Sequence, residues 1–436
     1  MTFSRLKYSL ARLGEQLWFW PAVYALLALC AIGISVASDE VPLPFDLPDI
    51  STETLRSLLN VLASTLLGVA TFAVASMVAA YTSASTTATP RAFALVIADS
   101  MSRRALSVFI AGYIFSIIGL ITVHVHTLGT TGHLALFIMI IAVISWVVLT
   151  FVAWVDSIAR LGRLGDTISK LEGATLAAIR QWGPDCRMGT AAAVVPESAH
   201  EVYAGLADPD SDSDIDSRIG HLQHVDLSGL QSWAERTDAR VWLHAAPGSF
   251  VTMHRPLASV AFGPESGLTP ETAAHAVRRS LVIGVDRSFT QDPRFGFICL
   301  SEIGSRALSP GINDPGTAID VIRRHTRLFS VWAELRTETP VLRHDRLHLP
   351  PLDAETLMED AFLGLERDGA SLVEVGIWLQ HAYASLAALP DTDIAAAARA
   401  RSVEADRRSR ETLSFEPDKA RVAQAAAVVG ELRLRS

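Results

Sequence analysis

Charge is missing from three long stretches of this 436-residue chain: residues 17–38, 57–90 and 105–155 contain no Asp, Glu, Lys or Arg. A charge-free run of that kind has no solvated face, and each is at least as long as the roughly 20 residues a helix needs to cross a bilayer core. Residues 105–155 are long enough for two crossings, broken at "TLGTTG" (127–132). Four transmembrane helices are therefore predicted, at about 18–38, 57–80, 105–126 and 134–155. Beyond residue 160 no apolar run approaches that length, so the remainder is expected to be a soluble region.

Other absences narrow the function. There are three cysteines, Cys30, Cys186 and Cys299, and no CxxC pair, which argues against a disulfide framework or a cysteine zinc site. The net charge of −9 leaves no basic surplus for nucleic acid. No GxSxG, Walker loop, HExxH or Cys-His set occurs, so the chain is not read as an enzyme and no cofactor is expected. No carboxylate or lysine lies within the predicted spans, which argues against a proton-coupled pump.

The basic residues that are present set an orientation. Arg5, Lys7 and Arg12 precede the first span, Arg91, Arg103 and Arg104 lie between the second and third, and Arg160 and Arg163 follow the fourth. The 39–55 loop is acidic instead, through Asp39, Glu40, Asp46, Asp49 and Glu53. The positive-inside rule then places both termini in the cytoplasm. Residues 1–38 carry a small-residue "SVAS", but the apolar run is too long for a cleavable signal peptide and opens on Trp-Phe-Trp-Pro.

The second span is the least ordinary. Ser57, Asn60, Ser64, Gly68, Thr71, Ala75 and Thr82 recur at mostly three- or four-residue spacing, opposite a face of Leu, Val and Phe. Such a stripe serves either close helix packing or the lining of a water-filled path. Asn60, Ser64, Gly68 and Thr71 are the pore-lining candidates. A pore wider than one four-helix subunit allows requires a homo-oligomer. His124, His126 and His133 gather at the outer ends of the third and fourth spans, either as interfacial residues or as a metal set.

Residues 160–181 read as a helix leaving the membrane, and "ADPDSDSDID" (207–216) as a polar loop. A strand–helix rhythm follows. "IGHLQHV", "ARVWLHA", "VTMHRPLASVAF" and "VIGVD" are strands. "DLSGLQSWAERTD" is a helix capped by Asp226, and "TPETAAHAVRRSL" one capped by Thr269 with Pro270 in its first turn. The expected architecture is a four-helix transmembrane domain (1–160), a cytoplasmic α+β domain (161–290) and a cytoplasmic helical region (291–436). His221, His224, His244 and His254 cluster in the α+β part, without acidic ligands near them in sequence, so whether any metal binds stays open.

Two Asp-Pro steps, Asp292-Pro293 and Asp314-Pro315, stand 22 residues apart. Asp at the N-cap and Pro at the first helical position is a favoured helix start. "ALSPGINDPGTAID" (307–320) thus ends one helix at "SPG" and caps the next at Asp314. One reading makes both aspartates plain caps. The other assembles Arg287, Asp292, Ser309, Asn313 and Asp314, with Gln291 and Arg306, into a site for an ion or a small anionic ligand.

The four-helix start, "ATPRAF", "GHLQHVDLSGL", "APGSFVTMHRPLA", "FTQDPRFGF" and "ALSPGINDPGTAIDVI" together resemble the DUF2254 family of predicted bacterial membrane proteins, over the chain to about residue 335. The resemblance implies topology and the bacterial cytoplasmic membrane rather than an activity. One departure is His254, where the family pattern has Gly, which puts a tight turn between the flanking strands in doubt. "PGSFVTMHRPLA" also echoes the turn of biotinyl-type β-domains, but no Met-Lys-Met follows, so no carried cofactor is expected and a β-hammerhead-like structural role is the better reading. The polar stripe and the large C-terminal region favour a homo-oligomeric ion channel or small-solute transporter with a ligand-sensing domain. The alternative is a membrane-anchored signalling or scaffold protein.

Overall fold

The computed structural model describes residues 19–37, 50–87, 89–92, 100–125, 129–160, 163–205 and 219–432. The stretch 38–49, His126 and the segment 207–216, all singled out above, lie outside the described residues. The chain divides into two compact units, Phe3–Thr167 and Ile168–Ser436.

The N-terminal unit holds four helices: α1 (Phe19–Ala37), α2 (Thr52–Thr87), α3 (Ser100–Val125) and α4 (Thr130–Arg160). Stretches Thr52–Thr82, Met101–Val125 and Thr130–Ile158 are long and apolar enough to cross a membrane. α1 is a helix of 19 residues outside that set. α2 buries Leu55, Leu59, Leu62, Leu66, Ala70, Ala73 and Met77, a ridge at three- and four-residue steps. This ridge packs on α3, where two glycines allow close approach. A β-carbon at Gly112 would stand 2.8 Å from Leu66, and one at Gly119 3.0 Å from Leu59. From α4, Leu136, Ile140 and Trp154 complete the core, with Trp154 edge-on to Phe72 and Phe109. The outward faces remain apolar, as at Leu67, Phe72, Ile138, Leu149 and Val152, which suits hydrocarbon surroundings.

The C-terminal unit is α+β. Helix α5 (Leu164–Trp182) leads into it. The strands are β1 (Thr190–Ala191), β2 (His200–Tyr203), β3 (Gly220–Val225), β4 (Arg240–Leu243), β5 (Phe250–Val251), β6 (Pro256–Ala261), β7 (Leu281–Gly284) and β8 (His344–His348). They form a five-stranded sheet of order β1-β8-β4-β6-β2 and a three-stranded sheet of order β5-β3-β7. β8 comes from the stretch expected to be purely helical, yet it pairs parallel with both β1 and β4. Its pairing adds a strand to the larger sheet from beyond residue 291 and corrects the all-helical expectation there.

The helices start where their caps dictate. In α6 (Leu227–Arg236) Asp226 accepts from the Gly229 N–H, and α7 (Pro270–Arg279) opens with a Thr269–Thr272 capping box. α8 (Pro293–Ala307) and α9 (Pro315–Arg336) begin at the two Asp-Pro steps. α10 (Ala354–Asp368), α11 (Val373–Ala387), α12 (Thr392–Thr412) and α13 (Glu416–Leu432) complete the helical part. Its core centres on Phe297, Phe329, Trp332, Phe362 and Tyr383. One buried ion pair crosses it: Glu366 of α10 meets Arg401 of α12 and accepts from the Tyr383 hydroxyl of α11 at 2.5 Å. Burial raises the Glu366 carboxyl above the ordinary range, and Arg401 opposes the shift.

Candidate functional site

Ser64 and Thr71 use their hydroxyls locally, donating to the Asn60 and Leu67 carbonyls one turn back at 2.8 and 2.9 Å. Such back-bonding lets a hydroxyl sit on a membrane helix without an outside partner. Asn60, Ser64, Gly68 and Thr71 are all exposed, opposite the buried ridge of α2. Nothing approaches within 4 Å of a β-carbon built on Gly68. Among the described residues the stripe therefore takes no part in packing within the chain, whereas Gly112 and Gly119 of α3 do. Nearby, the His133 ring lies 3.3 Å from the Thr52 hydroxyl. Among the described residues no group of three or more His, Cys, Asp or Glu is placed to hold a metal ion.

The five ligand-binding candidates do not come together. Arg287 and Asp292 do meet: Nε and Nη2 of the guanidinium donate to the two carboxylate oxygens at 2.8 and 2.9 Å. Ser309, Asn313 and Asp314 lie at the other end of α8, whose 15 residues rise about 22 Å. The single site expected from these residues is thereby split, because the bend that follows a helix lies a helix length from the bend that precedes it.

At the first end Asp292 is 1% exposed and caps α8 through the Phe295 N–H at 3.1 Å. Burial pushes its carboxyl up, against the pull of Arg287. Its neighbour Gln291 acts as a small strand. The Gln291 side chain accepts from the Val225 N–H at 2.9 Å and donates to the Val225 carbonyl at 3.3 Å. The Gln291 carbonyl accepts from the Trp182 indole at 2.9 Å. Gly248, at φ 92°, lies directly over the Asp292 carboxylate, where a β-carbon would collide with it. The Gly248 N–H donates to the Leu222 carbonyl, and the Leu222 N–H to the Ser249 carbonyl. The segment "FTQDPRFGF" thus ties α5, β3, α8 and the loop before β5 together, and Asp292 has its lone pairs engaged.

At the other end Ser309, Asn313 and Asp314 lie in a loop whose Pro310, Gly311, Ile312, Asn313 and Asp314 are exposed. The Ser309 carbonyl accepts from the Ile312 and Asn313 N–H groups, and Asn313 takes φ 50°, a conformation that Asn tolerates. Asp314 accepts from the Thr317 N–H and hydroxyl at 3.1 and 2.6 Å, which hold its carboxyl below the usual range. Here "SPGIND" reverses the chain and caps the next helix.

A family model described as a predicted membrane protein, DUF2254, matches residues 14–385. The chain belongs to the DUF2254 family. Among curated proteins, this DUF2254 chain is 28% identical over 255 residues to the uncharacterized proteins Rv1290c of Mycobacterium tuberculosis (strain H37Rv) and Mb1321c of Mycobacterium bovis. The matched stretch is 57% of this chain and 46% of theirs, so the chain spans about half the length of the curated relatives it matches. No solved structure matches it. The residues that sequence reasoning missed in this DUF2254 protein are the ones whose partners are distant in the chain. Gln291 was placed in a site for an ion or small anionic ligand, whereas its partner is Val225, and Gly248 lies against Asp292.

Proposed function

We propose that this DUF2254 protein spans the bacterial cytoplasmic membrane four times, with both termini in the cytoplasm. It assembles as a homo-oligomer around α2 and passes ions or small solutes under the control of a small ligand held by its C-terminal unit. The observation that carries the reading is the direction of the α2 stripe: Asn60, Ser64, Gly68 and Thr71 face away from their own subunit's core. The Asn60 carboxamide makes no hydrogen bond within the described residues, and an unpaired amide facing hydrocarbon is costly. Further copies of the chain, or water between them, would relieve that cost. The basic residues flanking the spans support the orientation.

One observation favours a second reading, a membrane-anchored scaffold without transport. The Ser64 and Thr71 hydroxyls are already satisfied by their own helix, so the stripe can pack between copies with no water path. Purified protein reconstituted in liposomes separates the two. The conducting reading requires a multimer in mild detergent and ion flux that Thr71→Leu reduces without loss of expression. A multimer with no flux for any ion tried leaves the scaffold, and a monomer removes the shared stripe altogether.

A further inference from the structure

The segment that runs from Gly248 through β5 to β6, passing from the smaller sheet to the larger, borders a cavity of about 280 Å³. Its walls include His244, Ser249, Phe250, Thr252, Arg255 and Leu257, and no carboxylate lines it. We propose that this cavity binds a small anion, a phosphate or carboxylate carried on a ring. The proposal rests on the ligand-sensing part of the reading above and is independent of conduction.

Several observations support it. Arg255 is exposed and makes no hydrogen bond or ion pair with any described residue, so its guanidinium is available to form a forked pair with an oxyanion. His244 is held by one nitrogen, Nε2, 2.8 Å from the Ser259 hydroxyl, which fixes the ring and leaves the other nitrogen for a ligand. Ser249 and Thr252 add hydroxyls. Phe250, edge-on to the His221 ring at 5.2 Å, is still 57% exposed at the wall. Asp292, which lies against Gly248, is paired with Arg287 at 2.8 Å, and Arg255 is the charged side chain in the cavity wall. The volume lies at the small end of ligand pockets, which suits a single ring with one anionic group.

The test uses the full-length protein in detergent, with phenyl phosphate and benzoate as anionic probes and benzyl alcohol and inorganic phosphate as controls. Binding is read by calorimetry and by the rise in melting temperature, which follows from binding to the folded state. The expected result is saturable binding of one or both ring anions, weaker binding of inorganic phosphate, and none of benzyl alcohol. Arg255→Gln should lower the affinity about tenfold or more, since a charge-assisted bond is lost, and Arg255→Lys should restore part of it. Which of the two probes binds assigns the head group. The proposal falls if neither ring anion binds, if benzyl alcohol binds equally, or if Arg255→Gln, melting like the parent, binds unchanged. Protein that binds but passes no ions refutes the channel alone; protein that conducts but binds neither probe refutes this site alone.

Discussion

Asp292-Pro293 and Asp314-Pro315 start consecutive helices with nearly the same backbone, φ −116° and ψ 87° against φ −113° and ψ 83°. In each, the carboxylate accepts the N–H three residues on, Phe295 or Thr317, at 3.1 Å. The likeness ends there. Asp292 is buried beneath Gly248, paired with Arg287, and its acidity is weakened by burial. Asp314 faces solvent, its carboxylate bonds only within its own first turn, and its acidity is strengthened by Thr317. An Asp-Pro step therefore fixes how a helix begins, and the packing around it decides whether the aspartate is a joint or a stop.

The sharpest way to break this contrast is to remove the buried member. Asp292→Ala strips the partner from an Arg287 that is only 18% exposed and deletes a cap as well. Losing one half of a largely buried pair costs about 3–4 kcal/mol with the cap included. We expect thermal unfolding of the full chain to show a loss of that order. Arg287→Met in the Asp292→Ala background should recover part of it, since no charge is then left unpaired. A loss under about 1 kcal/mol would make Asp292 a plain cap and erase the difference between the two bends.

The fold was readable wherever a signal was local. Charge-free runs marked α2, α3 and α4, and caps at Asp226, Thr269, Asp292 and Asp314 marked four helix starts at the right residues. The strands β3, β4, β6 and β7 fall within segments read as strands, β3 from its alternation. What escaped depends on distant pairing. β8 is "HDRLH", five residues with no apolar alternation, and it becomes a strand only because β1 and β4 flank it. β1 has two residues, too few to carry a pattern. At the candidate site Arg287 and Asp292, five residues apart, were named as parts of a ligand site and not as an ion pair. The contact of Asp292 with Gly248 spans 44 positions and was not visible. The separation of Asp292 from Asp314 by a full helix was implied by the 15 residues of α8, and it was the expectation of one convergent site that failed.

His325 extends the contrast to a titratable group buried among aromatic rings. It lies fully within the core, 5.5 and 5.3 Å from the Phe297 and Phe362 rings, and neither ring nitrogen is hydrogen-bonded. Burial lowers its pKa to about 3, opposed only by the Phe297 backbone. Below an unfolded-state pKa near 6.5 the unfolded chain takes up a proton that the folded chain refuses. Stability should then fall as pH drops from about 6.5 toward about 3, by roughly 2 kcal/mol between pH 7 and pH 5. Burial lowers the pKa of His224, His344 and His348 in the same direction. His325→Phe should therefore flatten, without abolishing, the decline in melting temperature over that range. A variant as acid-sensitive as the parent would show that His325 is hydrated or paired in solution.

The smallest effect belongs to the exposed bend. Asp314→Ala removes the acceptor for the Thr317 N–H and hydroxyl at the start of α9 but leaves no buried charge behind. The expected loss is about 1 kcal/mol, the ordinary value of an N-cap. Because its carboxyl titrates below the usual range, this contribution is present at neutral pH and disappears as pH falls through the folded value. Asp314→Asn should recover most of it, since an amide oxygen also caps, and the recovered part should not titrate. Were Asp314→Ala instead as damaging as Asp292→Ala, the exposed loop "SPGIND" would have to be bearing on something beyond its own helix, and the distinction between joint and stop would not hold.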